Sequence, residues 1–317
     1  MHVSDALIAP PVAAATGLMA ISLIAVASRK VKQISRNDIV PLMGVMGAFV
    51  FAAQMINFTI PGTGSSGHLI GGILLSAILG PWAAFITLSS ILIVQCLIFA
   101  DGGLLALGCN ILNMAATSCL IAYPLIYKPI VGNSLKPGRI IAGSVLASLI
   151  ALEAGAFLVS LETVLSGVTA LPFQTFIQYM CSIHLAIGIV EGLVTSALII
   201  FVAKYKPNIL SSSPETTKEH RNLKSFYWIV GAVTLFLAGG FTVLASEYPD
   251  GLEWSMEKVA EGVEFAESTP ATAVLADYEA GYSGIVGALA VMILLWFVTT
   301  LLFKLIKKPV TSDNKVE

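Results

Sequence analysis

Apolar residues run almost unbroken for roughly twenty positions at a time along this chain, which is the length a helix needs to cross about 30 Å of hydrocarbon. That feature decides the class of fold before any other. Segments 6–28, 39–60, 69–80, 82–100, 103–127, 139–160, 174–203, 226–245 and 282–303 meet or approach the requirement. Only 11% of the 317 residues are charged, against about 25% in a typical soluble domain, so the deficit belongs to lipid contact and not to a large aqueous core. In lipid a helix satisfies its own backbone hydrogen bonds, and the runs are too continuous for the alternation of a barrel strand. The expectation is an all-α polytopic membrane helix bundle of about nine transmembrane helices. Residues 69–100 are long for one span and short for two. With Pro81 in their middle, they read as a tight hairpin of two short helices, one broken helix being the alternative.

Lysine and arginine accumulate in cytoplasmic loops. With nine spans and the N-terminus outside, sixteen of the seventeen basic residues fall on the cytoplasmic side, and only Lys258 does not. The same map puts the C-terminus in the cytoplasm and the loop 246–281 outside. That loop holds nine acidic residues (Glu247, Asp250, Glu253, Glu257, Glu261, Glu264, Glu267, Asp277 and Glu279) and one lysine. Its plain reading is a solvated loop; a metal-collecting surface is the sharper one. The polar stretch 206–224 contains Pro and Ser and reads as a cytoplasmic linker. The chain therefore divides into a seven-span body (1–205), this linker, and a two-span unit (225–317). No basic residue precedes the first apolar run and Asp5 sits near its start, which speaks against a secretory signal peptide. A net charge of -2 leaves no electrostatic footprint for nucleic acid. Cys96, Cys109, Cys119 and Cys181 lie in apolar runs without CxxC spacing and read as buried small residues.

Chemistry concentrates in the four histidines, His2, His68, His184 and His220. His220 falls in the linker and reads as solvated. His2 directly follows Met1, and a bulky second residue protects the initiator from removal. The α-amino nitrogen, the His2 amide nitrogen and the His2 Nδ1 can close two fused rings around one metal. Three in-plane nitrogens and one further imidazole make a square-planar set that suits Ni(II) or Cu(II), with Co(II) next. His68, in the Gly-rich stretch 61–68 on the same side of the membrane, is the candidate fourth ligand. The plainer reading is a chance Met-His start and a surface histidine.

Further polar residues sit inside the apolar runs. His184 and Glu191 lie seven residues apart in the seventh run, two turns of one helix face, where ionisable groups default to functional roles. Second-shell support, packing and direct ligation all remain open for them. Asn110 and Asn113 read as hydrogen-bond glue between helices, and Glu153 needs a partner that the sequence does not name. Gly44, Ala48 and Ala52 recur every four residues, as do Ala9, Ala13 and Gly17. Small residues at this spacing allow close helix approach, either to a partner membrane subunit or within the body. No GxxxxGK[ST] phosphate loop, HExxH motif or GxSxG elbow occurs, so no ATPase of that type and no soluble catalytic domain is expected.

Four blocks, in order, resemble the nickel/cobalt-specific substrate-binding (S) membrane subunits of energy-coupling-factor transporters: MHVSDALIAP, GTGSSGHLIGGILLSAILGPWAAF, VQCLIFADGGLLALGCNILNMA and HLAIGIVEGLVT. ASEYPDGLEW (245–254) resembles the PDGLE signature of the small partner subunit, so the whole resembles an M-type body fused to an N-type unit. The resemblance implies Ni²⁺ or Co²⁺ as transported substrate, with no organic cofactor. The ligands it implies are Met1, His2 and a histidine matching His68. It further implies a transmembrane coupling (T) subunit and ABC-type ATPase subunits as partners, in a prokaryotic cell membrane. Ala6 stands where that family usually has Gly. Planar nitrogen ligation and the PDGLE-type unit favour nickel; cobalt uptake for cobalamin synthesis is the alternative. Readings outside transport are an intramembrane metalloenzyme using His184 and Glu191, and a binding protein that does not transport.

Overall fold

Prolines and glycines set the helix ends. Pro10, Pro81 and Pro137 each stand at the first helical position, where a missing N–H costs nothing and the fixed φ suits the helix. The computed structural model describes residues 1–34, 38–169, 171–210, 223–240, 245–259, 275 and 282–305. His220, most of the linker and much of the acidic loop lie outside the described residues. The helices are α1 (Pro10–Lys32), α2 (Ile39–Gln54), α3 (Gly72–Leu79), α4 (Pro81–Phe99), α5 (Leu107–Val131), α6 (Pro137–Ser166), α7 (Phe173–Tyr205), α8 (Lys224–Gly240), α9 (Gly251–Val259) and α10 (Ser283–Leu305). A short antiparallel hairpin, β1 (Phe58–Ile60) and β2 (Ser65–Gly67), pairs Phe58 with Gly67 and Ile60 with Ser65.

The bundle is a polytopic helical membrane protein. Helices α1, α4, α5, α6, α7 and α10 are long and apolar enough to cross a bilayer, while α2 and α8 are shorter apolar helices. The stretch 69–100 forms two helices joined at Gly80, which takes φ 82°. Helix α3 has only 8 residues, about 12 Å of rise, and all of them are buried. Helix α4 is 78% buried over its apolar window against 28% for α1, so α4 sits centrally and α1 at the lipid edge. Leu18, Ile21, Trp228 and Ile293 are each more than 60% exposed, an apolar belt that only lipid would cover. Helix α5 carries π-type hydrogen bonding over Ile111–Tyr127, and Pro124 lies inside that stretch.

Small residues let the backbones meet. A Cβ on Gly188 or Gly192 of α7 would press on the backbone of Leu149 or Val145 of α6. Gly108 of α5 faces the Gly17 backbone of α1 in the same way, so part of the first small-residue stripe packs within the body. On the second stripe, Gly44, Ala48 and Ala52 are buried inside this chain. The C-terminal helices reach α2 at close quarters: Gly47 meets Leu295 and Val291, and Gly287 sits against Phe51 and Phe99.

Ala100 ends α4 at φ 59°, a left-handed conformation that costs an L-residue with a Cβ about 1–2 kcal/mol. Replacing it relieves that strain. Ala100→Gly is expected to leave the fold intact and raise its stability by up to about 1 kcal/mol, read as a higher unfolding temperature in detergent.

Candidate metal centre

The N-terminus does not trail into solvent. Met1 and Val3 are buried, and the peptide between them is gripped by Asn110 of α5. The Val3 N–H donates to Asn110 Oδ1 (2.8 Å), and Asn110 Nδ2 donates back to the Val3 carbonyl (3.1 Å). Gly103 N–H donates to the same carbonyl at 2.9 Å. Two residues on, Asp5 Oδ1 accepts the N–H groups of Leu105 (2.8 Å) and Ala106 (3.1 Å) just ahead of α5. Gly102, at φ 85°, lies against Asn110 Nδ2 and the His2 Cβ, leaving no room for a side chain. Ala6 lies in the Asp5–Leu7 turn and is not among the residues with positive φ, so a Cβ there asks nothing of the backbone.

His68 arrives from the other side, directly after β2. The stretch that the sequence suggests as a Gly-rich loop is this β-hairpin, with Gly62 and Gly64 in its turn. Its exit is pinned by Glu191 of α7, whose two carboxylate oxygens accept the N–H groups of Ile70 (2.9 Å) and Gly71 (3.0 Å). Gln54 Nε2 donates to the Ile70 carbonyl (2.8 Å), and Gln95 Nε2 donates to Gln54 Oε1 (3.0 Å). With each oxygen accepting a backbone N–H, Glu191 anchors the segment that leads out of His68.

The His2 and His68 rings lie nearly parallel (18°) with centroids 5.0 Å apart. Two imidazoles in adjacent positions on one ion, at metal–nitrogen distances of about 2 Å, have centroids about 4–5 Å apart, so the separation is one that a shared ion can use. His68 Nδ1 lies 3.2 Å from the Leu69 carbonyl. A carbonyl only accepts, so Nδ1 carries the proton and Nε2 keeps its lone pair. The other donors are occupied. The Met1 ammonium pairs with Asp250 Oδ2 at 2.5 Å, and His2 Nδ1 lies 3.0 Å from Asp101 Oδ1.

Beneath this, Met1, His68, His184, Asp250 and Gly251 share a cavity of about 10 Å³, enough for about one water. His184 Nδ1 donates to the Met180 carbonyl (2.7 Å), and its buried Nε2 has no hydrogen-bond partner. Among the described residues no three His, Cys, Asp or Glu side chains converge as a ligand set. Asn113, singled out beside Asn110, faces away from this site and donates to Glu162 Oε2 at 2.6 Å. Sequence reasoning missed Asp101, Gln54, Gln95 and Glu162 altogether. It saw Asp250 only as one acidic loop residue among nine.

Burial first, then the charges of the terminal ammonium and His2, push the His68 imidazole down to about 3 against the opposing pull of Asp250 and Asp101. Burial also lowers His2, opposed first by Asp101. Burial alone would raise Asp250, but the ammonium's charge and hydrogen bond outweigh it and the net direction is down. Between about 6.5 and 3 the unfolded chain binds a proton that folded His68 refuses, so stability falls as pH drops below 6.5. The metal-free protein is expected to lose about 2 kcal/mol from this group between pH 7.5 and 5. Thermal unfolding in detergent reads the loss, and His68→Gln should flatten that part of the slope.

Set beside known proteins, residues 2–209 match the family described as cobalt uptake substrate-specific transmembrane region, and residues 224–304 match the PDGLE domain. The "Probable fused nickel transport protein LarMN" of Lactiplantibacillus plantarum is 30% identical over 272 residues, covering 82% of this chain and 80% of that protein. The fused nickel transport protein NikMN of Rhodobacter capsulatus is 29% identical over 250 residues, 74% of this chain and 71% of its own length. A solved transition metal transporter superposes with a TM-score of 0.56 at 31% identity, over 64% of this chain and 93% of its own.

Proposed function

This chain belongs to the cobalt uptake substrate-specific transmembrane family, with a PDGLE domain fused behind it, and on that premise we propose that it is the metal-capturing subunit of an uptake system for Ni²⁺ or Co²⁺. The ion would be held by the Met1 amine, the His2 amide, the His2 Nδ1 and the His68 imidazole. The observation that carries this reading is the burial of Met1 beside two imidazoles whose ring centroids are 5.0 Å apart. Four nitrogens in one plane suit nickel better than cobalt, and the relatives named above are nickel proteins.

The metal is cargo, so the chain performs no bond-making catalysis. Driving force would come from a T subunit and ABC-type ATPase subunits, since the sequence has no phosphate loop of the GxxxxGK[ST] type. We take residues 1–205 as the metal-binding body, 206–224 as a linker and 225–317 as the partner unit; the family matches break at 209 and 224, which supports that division. The basic-residue count supports an outside N-terminus and a cytoplasmic C-terminus in the cell membrane. Ligand exchange at the amine, with a proton taking the metal's place, would release the ion toward the partners.

Chelation here has a proton count. Both imidazoles are already neutral at pH 7, so binding would displace one proton from the Met1 ammonium and one from the His2 amide. Calorimetry in buffers of different ionisation enthalpy is expected to read about two protons released per nickel ion. One alanine inserted between Met1 and His2 breaks both fused rings and should abolish nickel binding and cellular nickel uptake together. Full binding by the insertion protein would retire the N-terminal site.

A further inference from the structure

The PDGLE segment is tied to the hairpin that presents His68. Ser246 N–H donates to the Asn57 carbonyl (2.8 Å), and Ser66 N–H donates to the Pro249 carbonyl (2.8 Å). Ser66 Oγ donates to the Tyr248 carbonyl (2.7 Å), and Trp254 Nε1 donates to the Thr63 carbonyl (3.0 Å). Gly251 then lies against the His184 ring, where an added Cβ would come within 3.0 Å of Cε1. Within this segment the Asp250 side chain faces the N-terminus.

Asp250 uses its two oxygens for different tasks. Oδ1 accepts the N–H groups of Leu252 (2.8 Å) and Glu253 (2.9 Å) and so caps the start of α9. Oδ2 pairs with the Met1 ammonium, whose own residue is 3% exposed. The cap holds the carboxylate still, and a fixed carboxylate can hold the amine still. From these contacts we infer that Asp250 is a positioning residue of the metal site, supplied by the C-terminal unit, that orients the terminal amine before and after the ion arrives.

The same oxygen serves both states. When the ammonium gives one proton to water, its lone pair turns to the metal and two N–H bonds remain. Oδ2 accepts one of these N–H bonds, fixing the amine as carboxylates fix ligating imidazoles in other metal sites. Its charge also offsets the ion's in a largely buried site. This inference rests on the metal-capture reading above, and it assigns the fused unit a direct part in the site.

The test uses the full chain in detergent with two readouts. In metal-free protein, Met1 acylation by an N-hydroxysuccinimide ester is followed by mass spectrometry of the N-terminal peptide. Nickel affinity is measured separately by calorimetry with nickel sulfate. Asp250→Asn and Asp250→Ser keep an oxygen for the α9 cap but remove the charge. Both are expected to acylate at least five-fold faster and to bind nickel about 10–100-fold more weakly. Trp254→Phe loosens the same segment while keeping Asp250, and should change acylation less than two-fold. Equal acylation in wild type and the Asp250 variants would overturn the assignment, as would equal acceleration by Trp254→Phe or unchanged nickel affinity. If wild type binds no nickel, the metal reading falls by itself, because the acylation readout needs no metal.

Discussion

A charged amine kept out of water organises one whole end of this molecule. Burying an unpaired ammonium costs several kcal/mol, so every element around Met1 is arranged to meet that cost. Asp250 supplies the opposite charge. Asn110 and Gly103 hold the first peptides, so the chain's end has little freedom to retreat. In the proposed chelate the ion and a proton would compete for the lone pair of this amine.

The second dependence runs through the hairpin. His68 gains its place from three separate helices: Glu191 on α7 and the Gln54–Gln95 pair on α2 and α4 converge on Ile70 and Gly71. Polar side chains within a membrane bundle are costly unless engaged, and here Glu191 and Gln54 bond the backbone that follows His68. This explains why a span helix carries a glutamate with no cation beside it. The PDGLE segment then closes the hairpin from outside, which joins the two family-matched regions at the site itself.

Legibility varied with the range of the interaction. Helices were legible because lipid demands long apolar runs, and Pro81 marked the break within residues 69–100. Met1 and His2 could be proposed together because the rings they would close are local, spanning adjacent covalent bonds. His68 could be proposed beside them only by residue type, and its place after a hairpin was not legible, since a Gly-rich stretch carries little strand signal. Asp101 and Asp250 were not legible as neighbours of the site, because nothing local ties them to His2 or Met1 at separations of 99 and 249 residues.

The sequence by itself therefore determined the membrane class and the approximate helix positions. Each follows from composition, from periodicity or from bonds between neighbours in the chain. Only the tertiary structure decided which buried groups face the amine, that Glu191 serves the His68 backbone, and that the small residues of α2 are covered within the chain. Those outcomes depend on which helix faces meet, and apolar helices of similar composition do not encode their neighbours in any local pattern.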